Sequence, residues 1–223
     1  MVRRVMVAGI GLLAVCGPAQ AADGVSYARY DAGAGKGVVV LAPTGLAFQF
    51  SGLRSSTRYR LAISSKGCAS SKGVITSKSF RTTPKGASWD PAPVRATAVP
   101  RSAKVLRGGK VVGCTPMLQG VGESGYLKVG NASPAIVVVD QSASTWRTLT
   151  SVTGLRKNAG YRLVGLAGPC SRDSQVVVNQ AFTANGKGAA LVDASTAPVP
   201  GQLIKSVAVT QSSNGQVVFC KTL

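Results

Sequence analysis

The 223 residues include no histidine, 26 Lys and Arg, and only seven Asp and Glu, a formal net charge of +19. Without imidazole, histidine general-base catalysis is excluded, and the Ser-His and Cys-His nucleophile systems go with it. The basic excess implies either attraction to polyanions (anionic wall polymers, lipopolysaccharide, nucleic acid, acidic glycans) or solubility alone.

Residues 1–21 read as a secretory signal peptide. Arg3 and Arg4 open it, and residues 5–15 are apolar. That run is shorter than the roughly 20 residues a membrane span needs. Ala19-Gln20-Ala21 is a small-x-small cleavage site, so the mature chain is expected to begin at Ala22. Lipidation of Cys16 is the rival reading, and bulky Val15 speaks against it. No later segment is long and apolar enough for a membrane helix. The product is expected to be exported, periplasmic or extracellular. Cleavage leaves 202 residues, with 24 basic and seven acidic side chains and a net charge of +17. It also leaves Cys68, Cys114, Cys170 and Cys220, none in a C-x-x-C pair. An even count in an exported chain argues for disulfides rather than metal ligands.

The pattern that follows is β throughout. Residues 37–41 are a short Val-rich run, and residues 47–51 lead into the turn Gly52-Leu53-Arg54. Residues 58–63 alternate. Tyr59, Leu61 and Ile63 are expected to pack, and Arg58, Arg60 and Ala62 to meet solvent. Residues 135–139 and 147–153 repeat the Val-rich run and the strand after it, ending at Gly154-Leu155-Arg156. Residues 176–182 and 203–210 are further strands. Gly, Ser, Asn and Pro cluster between the runs, as turns require. No 11-residue stretch after the signal peptide has helical periodicity, so two packed antiparallel sheets per copy are expected.

The two copies are defined by an internal repeat. Gly52, Leu53, Arg54, Tyr59, Arg60 and Leu61 recur 102 residues later as Gly154, Leu155, Arg156, Tyr161, Arg162 and Leu163. The same offset joins Cys68 to Cys170, Phe80 to Phe182 and Lys85-Gly86-Ala87 to Lys187-Gly188-Ala189. After a slip of four, Gly109, Val111, Val112 and Cys114 match Gly215, Val217, Val218 and Cys220 at offset 106. Each copy has the size of one small domain. The expected organisation is residues 1–21 as signal peptide, 22–118 as one β-sandwich domain and 125–223 as a second, with the boundary near 117–124. Four cysteines allow three pairings. If each copy keeps its own bond, the pairs are Cys68–Cys114 and Cys170–Cys220. Closing a loop of that length stabilises by roughly 4 kcal/mol in the chain-entropy model. The charge is shared unevenly: the first copy has 15 basic against three acidic residues, net +12, and the second nine against four, net +5.

Each copy resembles a copper/zinc superoxide dismutase domain. That family has a Gly-Leu turn, a strand of the form Gly-Phe-His-x-His, a cysteine, a Gly-rich segment and a hydrophobic strand ending in Arg-x-x-Cys-Gly, with the cysteines disulfide-bonded. Gly52-Leu53, Tyr59, Cys68, Lys85-Gly86 and Val111-Val112-Gly113-Cys114 stand in that order here. So do Gly154-Leu155, Tyr161, Cys170, Lys187-Gly188 and Val217-Val218-Phe219-Cys220. Val99-Pro100 and Val199-Pro200 sit where the family often has Val-Pro. The resemblance implies an all-β fold of two tandem antiparallel Greek-key sandwiches, each with one intradomain disulfide. It implies no metal chemistry, because the two strand histidines fall at Arg60 and Ala62, and at Arg162 and Val164. A guanidinium stays protonated, and Ala or Val offers no donor atom. Immunoglobulin-like and fibronectin type III sandwiches are the alternative, since residues 52–59 also look like theirs. Such a domain would end one strand after the Tyr, whereas over 50 residues separate Tyr59 from Cys114.

Candidate sites are few. Seven acids, with no pair matched closely between the copies, do not suggest the carboxylate couple of a glycosidase. Residues 120–125 fit G-x-G-x-x-G by letter but lack the strand-turn-helix setting that gives the motif its mechanism. Asn131-Ala132-Ser133 is a sequon followed by Pro134 and is discounted. Arg54, Arg60, Arg156 and Arg162 recur in both copies, which fits arginines that hold the shared fold. The candidate anion-binding residues lie in the first copy: Arg58, Arg60, Lys66, Lys72, Lys78 and Arg81, then Arg95, Arg101, Lys104, Arg107 and Lys110. Solvated charge is the plainer account of them. Few aromatics for stacking and no helix for a groove disfavour nucleic acid. The expectation is a non-catalytic exported binding or envelope-associated protein, without cofactor, contacting anionic envelope polymers or another envelope protein. A structural or assembly subunit is the alternative, and a degenerate dismutase-like protein of unknown activity the second.

Overall fold

The computed structural model describes residues 25–223 except 34, 44, 85, 93, 95–97, 121, 122 and 130–133; for residues 88–92 and 123–128 it describes the backbone alone. The expected signal peptide, the sequon and Arg95 lie outside the described residues. Among the described residues the chain is all-β, and no helix is long and apolar enough to cross a membrane.

Nine strands come first: β1 (Ser26–Ala32), β2 (Gly35–Ala42), β3 (Gly45–Ser51), β4 (Arg58–Ser64), β5 (Val74–Arg81), β6 (Ala87–Ala92), β7 (Ser102–Arg107), β8 (Lys110–Pro116) and β9 (Leu118–Gln119). They form two antiparallel sheets, ordered β6-β3-β2-β1-β9 and β5-β4-β7-β8. Eight more follow: β10 (Glu123–Val129), β11 (Ala135–Gln141), β12 (Trp146–Val152), β13 (Gly160–Leu166), β14 (Val176–Thr183), β15 (Ala190–Thr196), β16 (Ser206–Gln211) and β17 (Val217–Thr222). Their sheets are ordered β10-β11-β12-β15 and β14-β13-β16-β17. Apart from β9, the two sets correspond strand for strand. Three strands meander, the chain crosses for a hairpin, returns beside the third strand, and crosses again for a last hairpin.

The repeated residues fix the repeated turns. Gly52 and Gly154 have φ of 78° and 77°, and Ser56 and Asn158, also 102 apart, are left-handed at 52° and 54°. Gly86 and Gly188 are close approaches: a Cβ would stand 2.2 Å from the Phe50 carbonyl oxygen in one and from the Leu155 carbonyl oxygen in the other. A side chain at either position would force the facing backbone apart.

Each half has its own core. In the first, Tyr30, Phe48, Phe50, Tyr59 and Phe80 pack with ring centroids 4.8–5.7 Å apart among Val39, Leu41, Leu61, Ile63 and Val105. In the second, Trp146, Leu163, Val178, Ile204, Val209 and Phe219 are joined by Thr148 and Thr150, which occupy the positions of Phe48 and Phe50 in the β11–β12 hairpin.

A third apolar cluster lies between the halves. Val25, Tyr27, Val38, Val40, Ala42 and Ala47 from the first sheet meet Ile136, Val138 and Leu149 from the third. The four sheets are therefore stacked, and β2 and β11 are buried on both faces. Polar groups close the seam. The Tyr27 hydroxyl donates to Asp140 Oδ2 (2.7 Å), and Gln49 Nε2 donates to the Pro134 carbonyl (2.7 Å) and Thr153 Oγ1 (3.0 Å). Arg147 holds Asp193 bidentately at 2.8 and 2.6 Å and lies over the Tyr27 ring. Arg29 reaches Asp193 from the other half at 3.3 Å.

Residues 117–124, expected to be a boundary stretch, include structured chain. Met117 packs in the first core, Leu118–Gln119 pairs with β1 as β9, and β10 begins at Glu123. That residues 123–129 are a strand removes the helix a dinucleotide fingerprint needs.

Candidate anion-binding face

The two disulfides are Cys68–Cys114 and Cys170–Cys220, 46 and 50 residues apart in sequence. Such bonds are a mark of an oxidising, exported environment. Cys114 lies opposite Lys104 on β7, and Cys220 opposite Ala208 on β16, so each bond straps a loop onto the outer face of its sheet. The loops are further pinned alike. Ser65 N–H donates to Gly73 and Ala167 N–H to Gln175. The fully buried Ser102 and Ser206 hydroxyls donate to the Lys66 and Gly168 carbonyls, at 2.7 and 2.6 Å.

The first of these outer faces carries the basic set. Alternation along β4 turns Tyr59, Leu61 and Ile63 inward and leaves Arg58 and Arg60 exposed outside. Arg81 stands opposite Arg58, its Nε donating to the Ser56 carbonyl at 3.4 Å, and Ser79 stands opposite Arg60. Lys66 and Lys72 are exposed on the strapped loop. Arg101 is exposed before β7, its backbone bonded to Ser64 and Met117. Arg107 and Lys110 flank the exposed turn between β7 and β8.

Two members of the set, and one neighbouring alanine, sit differently. Lys104 is only 4% exposed, and its ammonium donates to the Ser70 carbonyl under the loop. Ala62, expected in solvent, is buried at 2% because it faces Lys104 across the ladder beneath that loop. Lys78 is half-buried opposite Leu61 on the core side of β5, where a charge on an edge strand discourages pairing with another chain.

The acids are elsewhere. Asp31 pairs with Arg29 (3.3 Å) and Lys36 (3.7 Å), Asp193 with Arg147 and Arg29, and Asp140 with Tyr27, all on the sheets that form the seam. Arg147 holds the Asp193 carboxyl below its ordinary pKa. Burial, and then the Asp140 carboxylate, push the Tyr27 hydroxyl up. Asp173 lies on the loop of the second half. Among the described residues, Arg58, Arg60, Lys66, Lys72 and Arg81 take part in no ion pair. Among the described residues, then, this positive face carries no paired acid, and Asp140 and Asp193 are engaged at the seam.

The second outer face differs. Arg162 Nη1 donates to Asn179 Oδ1 at 3.0 Å, and Ala208 replaces the buried lysine. A polar groove of about 560 Å³ lies beside its loop, lined by Gly168, Ser171, Asp173, Gln175, Gln202 and Lys205. The positions where the resemblance would place metal ligands hold Arg60, Ala62, Arg162 and Val164. The first and third point to solvent, and the other two lie beside Lys104 and Ala208.

Sequence reasoning missed the seam, the paired serines and the burial of Lys104. The seam had a signal: residues 37–41 and 135–139 are continuous apolar runs, the pattern of a strand covered on both faces. The serines and Lys104 had none, because their roles depend on where the strapped loop lies. No protein-family model matches the chain, and no curated protein is significantly similar to it.

Proposed function

We propose that this is an exported, non-catalytic binding protein whose first half presents its basic outer face to anionic polymers of the cell envelope. The observation that carries the reading is the segregation of charge. Arg58, Arg60, Arg81, Lys66 and Lys72 share one face, whereas Asp31, Asp140 and Asp193 are paired on the sheets of the seam and Asp173 lies on the loop of the second half. Long-range attraction to a polyanion follows from such an uncompensated field and weakens with salt. The reading treats residues 22–118 and 125–223 as two superoxide dismutase-like Greek-key domains. Their strand order, the same apart from β9, and the over-and-back connections between sheets support this, and the residues at the ligand positions support a copy without dismutase chemistry.

The test uses the full chain, because either half alone would expose the apolar seam. On immobilised heparin at neutral pH, R58Q/R60Q/R81Q is expected to elute at clearly lower salt than wild type. R156Q/K157Q/R162Q, which removes the same charge from the second half, is expected to elute near wild type. Equal shifts for both variants would mean that net charge alone acts, and the reading would fail.

A structural or assembly role is the second reading. Its support is a repeated exposure of valine on edge strands, Val74 and Val176 at 55% and 49% and Val111 and Val217 at 51% and 55%. Light scattering tests it, since assembly through these edges predicts oligomers that a V111K/V217K variant does not form.

A further inference from the structure

We propose that the first half also holds a site for a single phosphate group, in a cavity at the end of its sandwich bordered by Tyr30, Tyr59, Arg54 and Arg107. The cavity measures about 170 Å³, and Ala32, Leu53 and Val112 complete its wall. That is several times the roughly 30 Å³ share of one water, and it admits a tetrahedral anion.

The strongest sign of a missing partner is Tyr30. The residue is completely buried, and its hydroxyl makes no hydrogen bond among the described residues. Buried hydroxyls are normally satisfied, so an exception asks for a partner. The arrangement is also particular to this half. Gly113 admits the Tyr30 ring, since a Cβ there would lie 1.8 Å from the hydroxyl oxygen. At the same register of the second half stands Phe219, which fills its own core. The repeated tyrosine differs too. Tyr161 accepts a hydrogen bond from the Arg156 N–H at 2.9 Å and closes its turn, whereas the described bonds include none from Arg54 to Tyr59, which lines the cavity instead.

The donors suit phosphate. Arg54 comes from the Gly-Leu-Arg turn and Arg107 from the end of β7, and neither forms an ion pair among the described residues. Planar guanidinium forks bind phosphate oxygens bidentately. Burial, with Tyr59 adding to it, pushes the Tyr30 hydroxyl up to about 12, so at neutral pH it remains a donor. Two guanidinium groups and a hydroxyl match an anion with three free oxygens better than a carboxylate with two. The site does not depend on the polymer reading, because it lies between the sheets and not on the outer face.

Calorimetric titration of the full chain at low salt and pH 7 tests it, with inorganic phosphate, glycerol phosphate and acetate as probes. Saturable one-to-one binding of phosphate is expected. Tyr30→Phe should weaken it about tenfold, the scale of one hydrogen bond to a charged group. R54Q/R107Q should abolish it, and R58Q/R60Q should leave it unchanged. Phosphate should also raise the Tm of wild type and not that of R54Q/R107Q, which shows in the same scan that the variant is folded. Glycerol phosphate binding as well as inorganic phosphate supports an ester-borne group, and inorganic phosphate alone supports the free ion. The proposal is overturned by no saturable heat, by acetate binding as tightly as phosphate, or by R54Q/R107Q retaining wild-type affinity. A heparin result in either direction leaves these outcomes unaffected.

Discussion

Ile136→Ala probes whether the halves are welded. Ile136 is completely buried, yet it belongs to neither sandwich core; it packs in the seam with Val38, Val40 and Leu149. The substitution removes three carbons, worth about 2.4 kcal/mol at about 0.8 kcal/mol per buried CH2, and the cavity left between rigid sheets brings the expected cost to about 3 kcal/mol. Each half contains one tryptophan, Trp89 on β6 and Trp146 on β12. Urea unfolding followed by fluorescence in W89F and W146F backgrounds therefore reports each half separately. A welded molecule predicts that Ile136→Ala lowers the midpoint by the same amount in both backgrounds. A cost under about 0.5 kcal/mol, typical of surface substitutions, or a shift seen by only one tryptophan, would refute the seam as a shared structural element.

Three further outcomes follow from the packing. Thr148 and Thr150 are completely buried with hydroxyls that have no partner among the described residues, so Thr150→Val should stabilise by about 1 kcal/mol, and a loss of stability in chemical denaturation would mean the hydroxyl is satisfied. Asp193→Asn should cost about 2 kcal/mol at neutral pH by weakening the charged bonds to Arg147. Because the Asp193 carboxyl is held below its ordinary value, its contribution is present above about pH 4 and is lost as pH falls through the lower folded-state value; the variant should therefore show a flatter acid limb in stability against pH, and an unchanged limb would remove the argument. Gly113→Ala should destabilise the first half because its Cβ meets the Tyr30 hydroxyl, and Tyr30→Phe should recover part of the loss in a double-mutant cycle; strict additivity would contradict the contact.

Much of this was legible in the chain itself. Period-two alternation placed β4 with Tyr59 inward and Arg60 outward, since a half-buried strand must sort its side chains that way. The 102-residue offset carried the pairings Cys68–Cys114 and Cys170–Cys220, because a duplicated fold keeps its cross-link within each copy. What stayed hidden was set by contacts distant in sequence. Ala62 and Lys104 are buried only because a disulfide draws residues 65–73 over them. Tyr27 reads as an ordinary strand residue until Asp140, 113 positions away, accepts a hydrogen bond from its hydroxyl. The candidate face was half legible. The surplus of lysine and arginine in the first copy is a matter of counting, but the engagement of Asp140 and Asp193 at the seam needs the sheets to be stacked.

Residue-resolved NMR titration of the full chain with a short heparin oligosaccharide bears most directly on the claim that one face meets the polymer. Shifts confined to β4, β5 and the loop at residues 65–73, fading as salt rises, are predicted. Shifts spread evenly over both halves, or centred on β13 and β14, would contradict it.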